Sequence, residues 1–278
     1  MKRAGRLMFV AVPLVAVTVY VAVPGEKGDD GPSDTRSSSP STSSGSAADL
    51  DSPKMKELAQ RIVSSAENSS LDWRAQYDYV EDIGDGRGYT AGIIGFTTGT
   101  HDLLKLVELY TESHPDNALA RYLPALRAVD GSDSHEGLDP GFTEAWKEEA
   151  QKDAFQRVQD SQRDRVYFGP AVRLAKSDGL GALGQFIYYD AMVMHGPGDP
   201  GFHGIRERAM AEADTPAEGG DEQSYLDIFL DTRRETMKSE KRDTTRVDTA
   251  QRRFLYDGNL DLRTPLEWKV YGVTYRVR

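Results

Sequence analysis

Two short polar stretches hold side chains suited to acid–base chemistry: SSAENSSLDW, with Glu67, and EDIGDGRGYT, with Asp85 and Thr90. Glu67 directly follows the last apolar position of a helical pattern. Its carboxyl therefore falls at a helix end beside the core, where it is partly desolvated. Asp85 lies in a turn framed by Gly84, Gly86 and Gly88. Two carboxyls in unlike surroundings suit the two unlike jobs of glycosidic bond hydrolysis, one giving a proton and one not. The pair alone is a weak signal among 45 Asp and Glu in 278 residues. The elements that position it must carry the argument.

Ser52-Pro53 reads as a helix start, with proline at the first helical position. Met55, Leu58, Ala59, Ile62, Val63 and Ala66 then recur at helical spacing and bury one face. Leu71 to Val80 mixes aromatic and charged residues and fits a helix or an irregular segment. From Glu81 to Gly99, glycines alternate with Tyr89, Thr90, Ile93, Ile94, Phe96, Thr97 and Thr98, which predicts a hairpin or small sheet. A helix opens at Thr100 or His101. One helical segment is expected from Phe142 to about Val166, and others over 221–238 and 244–256. The stretch 179–194 is apolar nearly all round, the mark of a buried central helix. The tail from Val270 to Val277 alternates like a short strand. No fixed-period repeat occurs. The expectation is a mainly α protein with a small β element near residues 82–98, and the candidate site at their junction.

Lys2, Arg3 and Arg6 precede an apolar run from Met8 to Pro24, short and interrupted by Pro13. Residues 1–24 read as a secretory signal, with an uncleaved N-terminal anchor as the alternative. Residues 25–48 are Ser, Gly, Asp and Pro with little to bury, and are expected to be a disordered linker. Residues 49–278 are the expected folded, candidate catalytic domain, long enough for one large domain or two lobes around a shared cleft. The expected location is extracellular, or tethered to a membrane if the N-terminus is retained.

The first 48 residues carry five Lys/Arg and four Asp/Glu, which leaves 29 basic against 41 acidic residues in the rest, a net of −12. Such a surface is the wrong sign for nucleic acid. It suits a polycationic substrate, and it equally suits solubility alone. The absence of cysteine removes thiol catalysis and cysteine-ligated metals. Asp82 and Asp85 lack the spacing and the distal glutamate of a calcium loop. The Gly84-x-Gly86-x-Gly88 pattern precedes strands, unlike a phosphate cradle. The five histidines (His101, His114, His135, His195, His203) show no ligand spacing. We expect no metal and no cofactor, and a monomer.

Several longer motifs, SSAENSSLDW, YVEDIGDGRGYTAGIIGFTTGT, YLPAL, RDRVYF, LGQFIYYDAMVMHGPG, RVDTAQR and GNLDL, resemble the family 46 chitosanases of soil actinobacteria. The likeness runs from about Leu50 to the C-terminus. It implies a lysozyme-like architecture: two mostly helical lobes, a small sheet and a substrate cleft between them. It implies endo-hydrolysis of β-1,4 bonds in chitosan with inversion and without a metal. Glu67 matches the general acid, Asp85 the general base, and Thr90 the hydroxyl that holds the attacking water. Asp102 matches a carboxylate that contacts a glucosamine ammonium. Ser69, Tyr79, Arg87, Gly95, Thr100 and His195 match residues that line the cleft. Between Glu67 and Asp102 stand seven acids and two bases, either a wall suited to a polyamine sugar or a solvated acidic face.

Asp190 sits in the apolar central helix, where a lone carboxylate must be paired or neutral. The resemblance sets Arg233 and Arg246 beside it, a buried network behind the acid, structural first and pKa-tuning second. The loop after HGPG reads DPGFHGIR and is about two residues shorter than the family pattern, so the family's contacts from that side of the cleft do not carry over by position. Rival readings are a hydrolase of chitin or peptidoglycan, and a non-catalytic glycan-binding protein on the same fold.

Overall fold

The computed structural model describes residues 49–199 and 201–278, so the expected signal, anchor and linker lie outside the described residues. Helix α1 (Pro53–Glu67) begins as its sequence predicts. Ser52, in extended backbone, accepts the Met55 N–H through its side chain, and Pro53 takes the first turn, where its missing donor costs nothing. Leu58, Ala59, Ile62, Val63 and Ala66 are buried along one face. Glu67 is the last helical residue, and the Asn68 N–H closes the helix on the Ser64 carbonyl at 2.7 Å.

The segment expected as helix or irregular contains a 3-10 turn at Trp73–Gln76. Next come three short antiparallel strands, β1 (Val80–Asp82), β2 (Tyr89–Ala91) and β3 (Phe96–Thr97), in sequential order. Asp82 pairs with Tyr89 and Thr90 with Thr97. The loop over 83–88, which carries Asp85, is thus closed at its base by the Asp82–Tyr89 pair. Gly88 has φ +67°, and a Cβ there would lie 2.3 Å from Thr98 Oγ1, so only glycine fits without a shift.

Helices α2 (Asp102–Ser113), α3 (Leu123–Val129), α4 (Phe142–Glu149) and α5 (Asp153–Arg163) follow. The single helix expected over 142–166 is therefore two. The break places a fully buried Glu149 where it accepts the Tyr110 hydroxyl, the Ala118 N–H and Lys152 Nζ, each at 2.7 Å. Lys152 takes extended backbone to return to it. No Gly or Pro marks that turn.

A π-helical turn (Asp164–Phe168) runs straight into α6 (Gly169–Ser177), so one helical run carries the chain out of the first core and into the second. Helix α7 (Ala182–His195) is the expected central helix, and Val193 is its one residue that is not buried. Then come α8 (Phe202–Met210), α9 (Glu222–Ser239), a second π-helical turn (Val247–Gln251) leading into α10 (Arg252–Tyr256), and a hairpin of β4 (Leu266–Val270) and β5 (Val273–Val277). The single tail strand expected from the alternation is a two-stranded hairpin.

Two apolar cores result. One gathers Trp73, Phe96, Leu106, Trp146 and Phe155, from the 3-10 turn through the sheet to α5. The other gathers Ile62, Phe186, Tyr188, Phe229 and Trp268, from α1 and the C-terminal half. This is the expected mainly α, lysozyme-like arrangement of two lobes with a small sheet. The chain leaves the larger lobe at Glu67 and returns through the first π-helical turn. There, Trp73 Nε1 donates to Glu57 Oε2 at 3.2 Å and the Arg163 guanidinium lies over the Trp73 ring at 5.2 Å.

Phe186 is fully buried in α7 among this second core. Phe186→Ala is expected to cost about 3–5 kcal/mol of unfolding free energy, read from urea denaturation. A loss under about 1 kcal/mol would show that α7 is not the centre of the lobe.

Candidate active site

Between the two cores lies a cleft whose walls come from both. The larger lobe contributes Gln60, Ser64 and Glu67 of α1, the cap residue Asn68, and Tyr189 and Val193 of α7. The smaller contributes Arg87, Thr90, Gly95, Thr100 and Asp102. Of the residues singled out from sequence, Glu67, Arg87, Thr90, Gly95, Thr100 and Asp102 meet in this wall.

Glu67 reaches the cleft from the end of α1 with a fifth of its side chain exposed, and Oε1 accepts from Arg246 Nη1 at 2.6 Å. Arg246 Nη2 in turn donates to Asp190 Oδ1 at 2.7 Å. The other Asp190 oxygen receives Arg233 Nη1 at 2.8 Å and Gln251 Nε2 at 2.6 Å. Asp190, Arg233 and Arg246 are at most 3% exposed. Burial alone would raise the Asp190 carboxyl. The Arg246 and Arg233 charges, with their hydrogen bonds, outweigh it and hold it at about 2. The network expected from Asp190 is therefore present, and it ends on Glu67.

His195 is not in the cleft wall. As the last residue of α7 it turns inward and its Nε2 accepts from Arg233 Nε at 3.3 Å. Burial, then the Arg233, Arg246 and Arg242 charges, push it down to about 2. It stays neutral at any working pH and acts as an acceptor that orients Arg233.

Asp85 is not itself a wall residue. Its carboxylate is gripped by Arg87, with Oδ2 receiving Nε at 3.0 Å and Nη2 at 2.7 Å, while Oδ1 takes the Arg87 N–H at 3.1 Å. Arg87 does line the cleft, so Asp85 reaches the wall through its bidentate partner. Tyr79 lies nearby, outside the wall. Burial and then the Glu81 and Asp85 charges raise its hydroxyl to about 12. Ser69 is exposed, also outside the wall, and hydrogen-bonds Tyr275 of β5.

Asp102 opens α2, where its Oδ1 accepts the Thr97 N–H at 2.7 Å and the Thr100 hydroxyl at 2.9 Å. No cation pairs with it among the described residues. Burial raises its carboxyl to about 6 even though those hydrogen bonds oppose the shift.

Gln60 and Asn68 escaped the sequence reading, whereas Tyr167 and Tyr189, which it places in the core or the cleft wall, do line the cleft. Gln60 accepts the Tyr189 hydroxyl at 2.9 Å, and Tyr167 lies close enough to Asp102 to feel its charge. Buried polar groups in proteins are nearly always hydrogen-bonded. Three buried wall atoms, Gln60 Nε2, Asn68 Oδ1 and Thr90 Oγ1, have no protein partner. Their concentration here points to a polar ligand that offers both hydrogen-bond donors and acceptors. Gln251 could have been found by the reasoning applied to Asp190, since it is a polar residue on an otherwise apolar helical face.

The model of glycosyl hydrolase family 46 matches residues 61–266. A chitosanase of a Streptomyces species is 61% identical over 239 residues, covering 84% of this chain and 86% of that protein. Among solved structures, chitosanase OU01 with substrate is 54% identical with a TM-score of 0.80, covering 84% of this chain and 100% of the other. A chitosanase of Gynuella sunshinyii in complex with chitotetraose is 34% identical with a TM-score of 0.74, covering 82% and 98%.

Asp102 makes stability depend on pH with a defined sign. Its folded value of about 6 lies above the roughly 3.9 of an unfolded aspartate, so protons favour the folded state. That contribution is complete below about pH 4 and is lost as pH rises to about 6. The unfolding free energy of the wild type minus that of Asp102→Asn should fall across this interval and then level off. A difference that stays flat from pH 4 to 6 would mean the carboxyl is not desolvated.

Proposed function

This chain belongs to glycosyl hydrolase family 46, and on that footing we propose that it is a secreted chitosanase that cuts β-1,4 bonds within chitosan chains with inversion. The observation that carries the reading is Asp102, a desolvated carboxylate in the cleft wall with no cationic partner among the described residues. A neutral N-acetylated glycan would leave it unpaired, whereas a glucosamine ammonium would supply the missing charge.

In the proposed reaction Glu67 donates its proton to the leaving glycosidic oxygen as the C–O bond breaks. Asp85 takes a proton from the water that attacks the opposite face of the ring, and the Thr90 hydroxyl holds that water. Inversion requires the two carboxyls to be about 6.5–9.5 Å apart, to leave space for the water. Their attachment to different elements, a helix end in one lobe and a strand–strand loop in the other, suits such a gap. Arg246 fixes the direction of Glu67, and Arg87 fixes that of Asp85.

Glu67→Gln is expected to lower kcat on fully deacetylated chitosan by about 10²–10⁴-fold. Unchanged turnover would remove Glu67 from the chemistry. In the wild type, proton NMR of fresh product should show the α-anomer first; initial β-anomer would overturn inversion. Equal rates on chitin and on deacetylated chitosan would overturn the substrate assignment.

Asp102→Asn should raise KM at low ionic strength with a smaller effect on kcat, and added salt should narrow the gap, because the contact is ionic. A normal KM in dilute buffer would take Asp102 out of the binding surface.

A further inference from the structure

The segment over 130–141, between α3 and α4, plays no part in the chemistry described so far, yet it packs against the loop that carries Asp85. Its root is fixed in the smaller lobe. Leu138 is fully buried, and a Cβ on Gly141 would lie 2.6 Å from the Tyr122 hydroxyl. From this root His135 reaches the sheet. Its ring stacks on Tyr89 with centroids 4.1 Å apart and planes 10° from parallel. Nε2 lies 3.0 Å from Asp82 Oδ2, off the hydrogen-bonding line, and Nδ1 lies 3.4 Å from Asp139 Oδ2.

Asp82 and Tyr89 are the paired residues that close the Asp85 loop. Asp82 Oδ1 accepts the Gly84 N–H inside that loop at 2.7 Å, and the Tyr89 hydroxyl donates to Asp139 Oδ1 at 2.7 Å. His135 therefore touches both ends of the loop, one through a carboxylate and the other through a ring face. The contact continues along the segment: a Cβ on Gly88 would come 3.1 Å from Asp133 Cα, and the Gly131 N–H donates to the Thr98 carbonyl at 2.9 Å.

We propose that His135 is a positioning residue for the general base, pinning the 83–88 loop so that Asp85 and its Arg87 partner hold one geometry across the cleft from Glu67. The proposal rests on the reading of Asp85 as the base. Each polar contact is partly solvated and weak by itself. Their effect comes from geometry, since a displacement of about 1 Å of a catalytic group can cost around 10²-fold in rate. A histidine suits the place because it meets two carboxylates with its two nitrogens and covers Tyr89 with its face.

His135→Phe keeps a flat ring on Tyr89 and removes both carboxylate contacts. We expect kcat on a chito-oligosaccharide to fall about tenfold, with KM within about twofold and the melting temperature within about 3 °C of wild type. Amide exchange in residues 83–88 should quicken while exchange in α7 stays unchanged. Asp82→Asn should give a similar loss, and the double variant should lose little more than the worse single one, since both break one contact. Wild-type kcat and loop exchange in His135→Phe, additive losses in the double variant, or a lowered melting temperature with KM and kcat changed alike would each overturn the proposal. Exchange reads the pin without reference to catalysis. Quickened loop exchange with unchanged kcat would overturn the proposal through its premise, that Asp85 is the base.

Discussion

The Asp190 carboxylate, buried in an apolar helix and held by two guanidinium groups, is the interaction from which the rest of the site follows. An ionised carboxylate in such a place is tolerated only with excellent geometry and full hydrogen bonding. Arg246, Arg233 and Gln251 supply both, and they come from two elements: Arg246 directly precedes the second π-helical turn and Gln251 ends it, while Arg233 lies on α9. To bury Asp190 is therefore to dock α9 and the C-terminal helices on α7 in one register. The second nitrogen of Arg246 then extends the network to Glu67. The carboxyl in the cleft takes its direction from the one in the core. His195 belongs to the same network, held neutral so that it can accept from Arg233 rather than repel it.

The smaller lobe solves the matching problem differently. Asp85 stands on a glycine loop with no buried ion pair behind it among the described residues, and its rigidity must come from contacts made outside the loop. Arg87 grips the carboxylate from within the cleft wall, Gly88 lets the loop close onto Thr98, and the segment from Asp130 to Gly141 backs it from the other side. One carboxyl is thus fixed from the core and the other from the surface. Charge substitutions in the buried network behind Glu67 should act through folding, and those in the contacts that back the Asp85 loop through rate.

Much of this was legible in the residues. The spacing of apolar positions in α1, with Ser52 and Pro53 ahead of them, set its start, and its end at Glu67 followed. A lone aspartate in α7 demanded partners, although their identity came from resemblance and not from physics. What stayed hidden depended on tertiary contacts that leave no local mark. The break between α4 and α5 exists because Glu149 is turned inward to Tyr110 and Ala118, and nothing in the intervening residues is a helix breaker. His195 matched a wall position by alignment of motifs, but its place at the last turn of α7 aims it into the Arg233 pocket. Ser69 and Tyr79, two and six residues from the wall residues Glu67 and Trp73, lie outside the wall, since proximity in sequence does not settle which way a loop side chain faces.

The polar groups of the wall divide by whether the protein itself completes them. Glu67 and Arg87 already have protein partners, the first a guanidinium and the second a carboxylate, before anything binds. Asp102 has hydrogen bonds but no counter-charge among the described residues, and Gln60, Asn68 and Thr90 each keep a buried polar atom without a protein partner. Completed groups give a substrate direction. Uncompleted ones give it a reason to enter, because a buried polar atom without a partner costs about 1–3 kcal/mol that a matching ligand can return. A ligand that completes this wall must offer a cation to Asp102, an acceptor to Gln60, and a donor to Asn68. A sugar bearing an ammonium and hydroxyls has all three within one ring, while an acetylated one presents a neutral amide where the charge is needed.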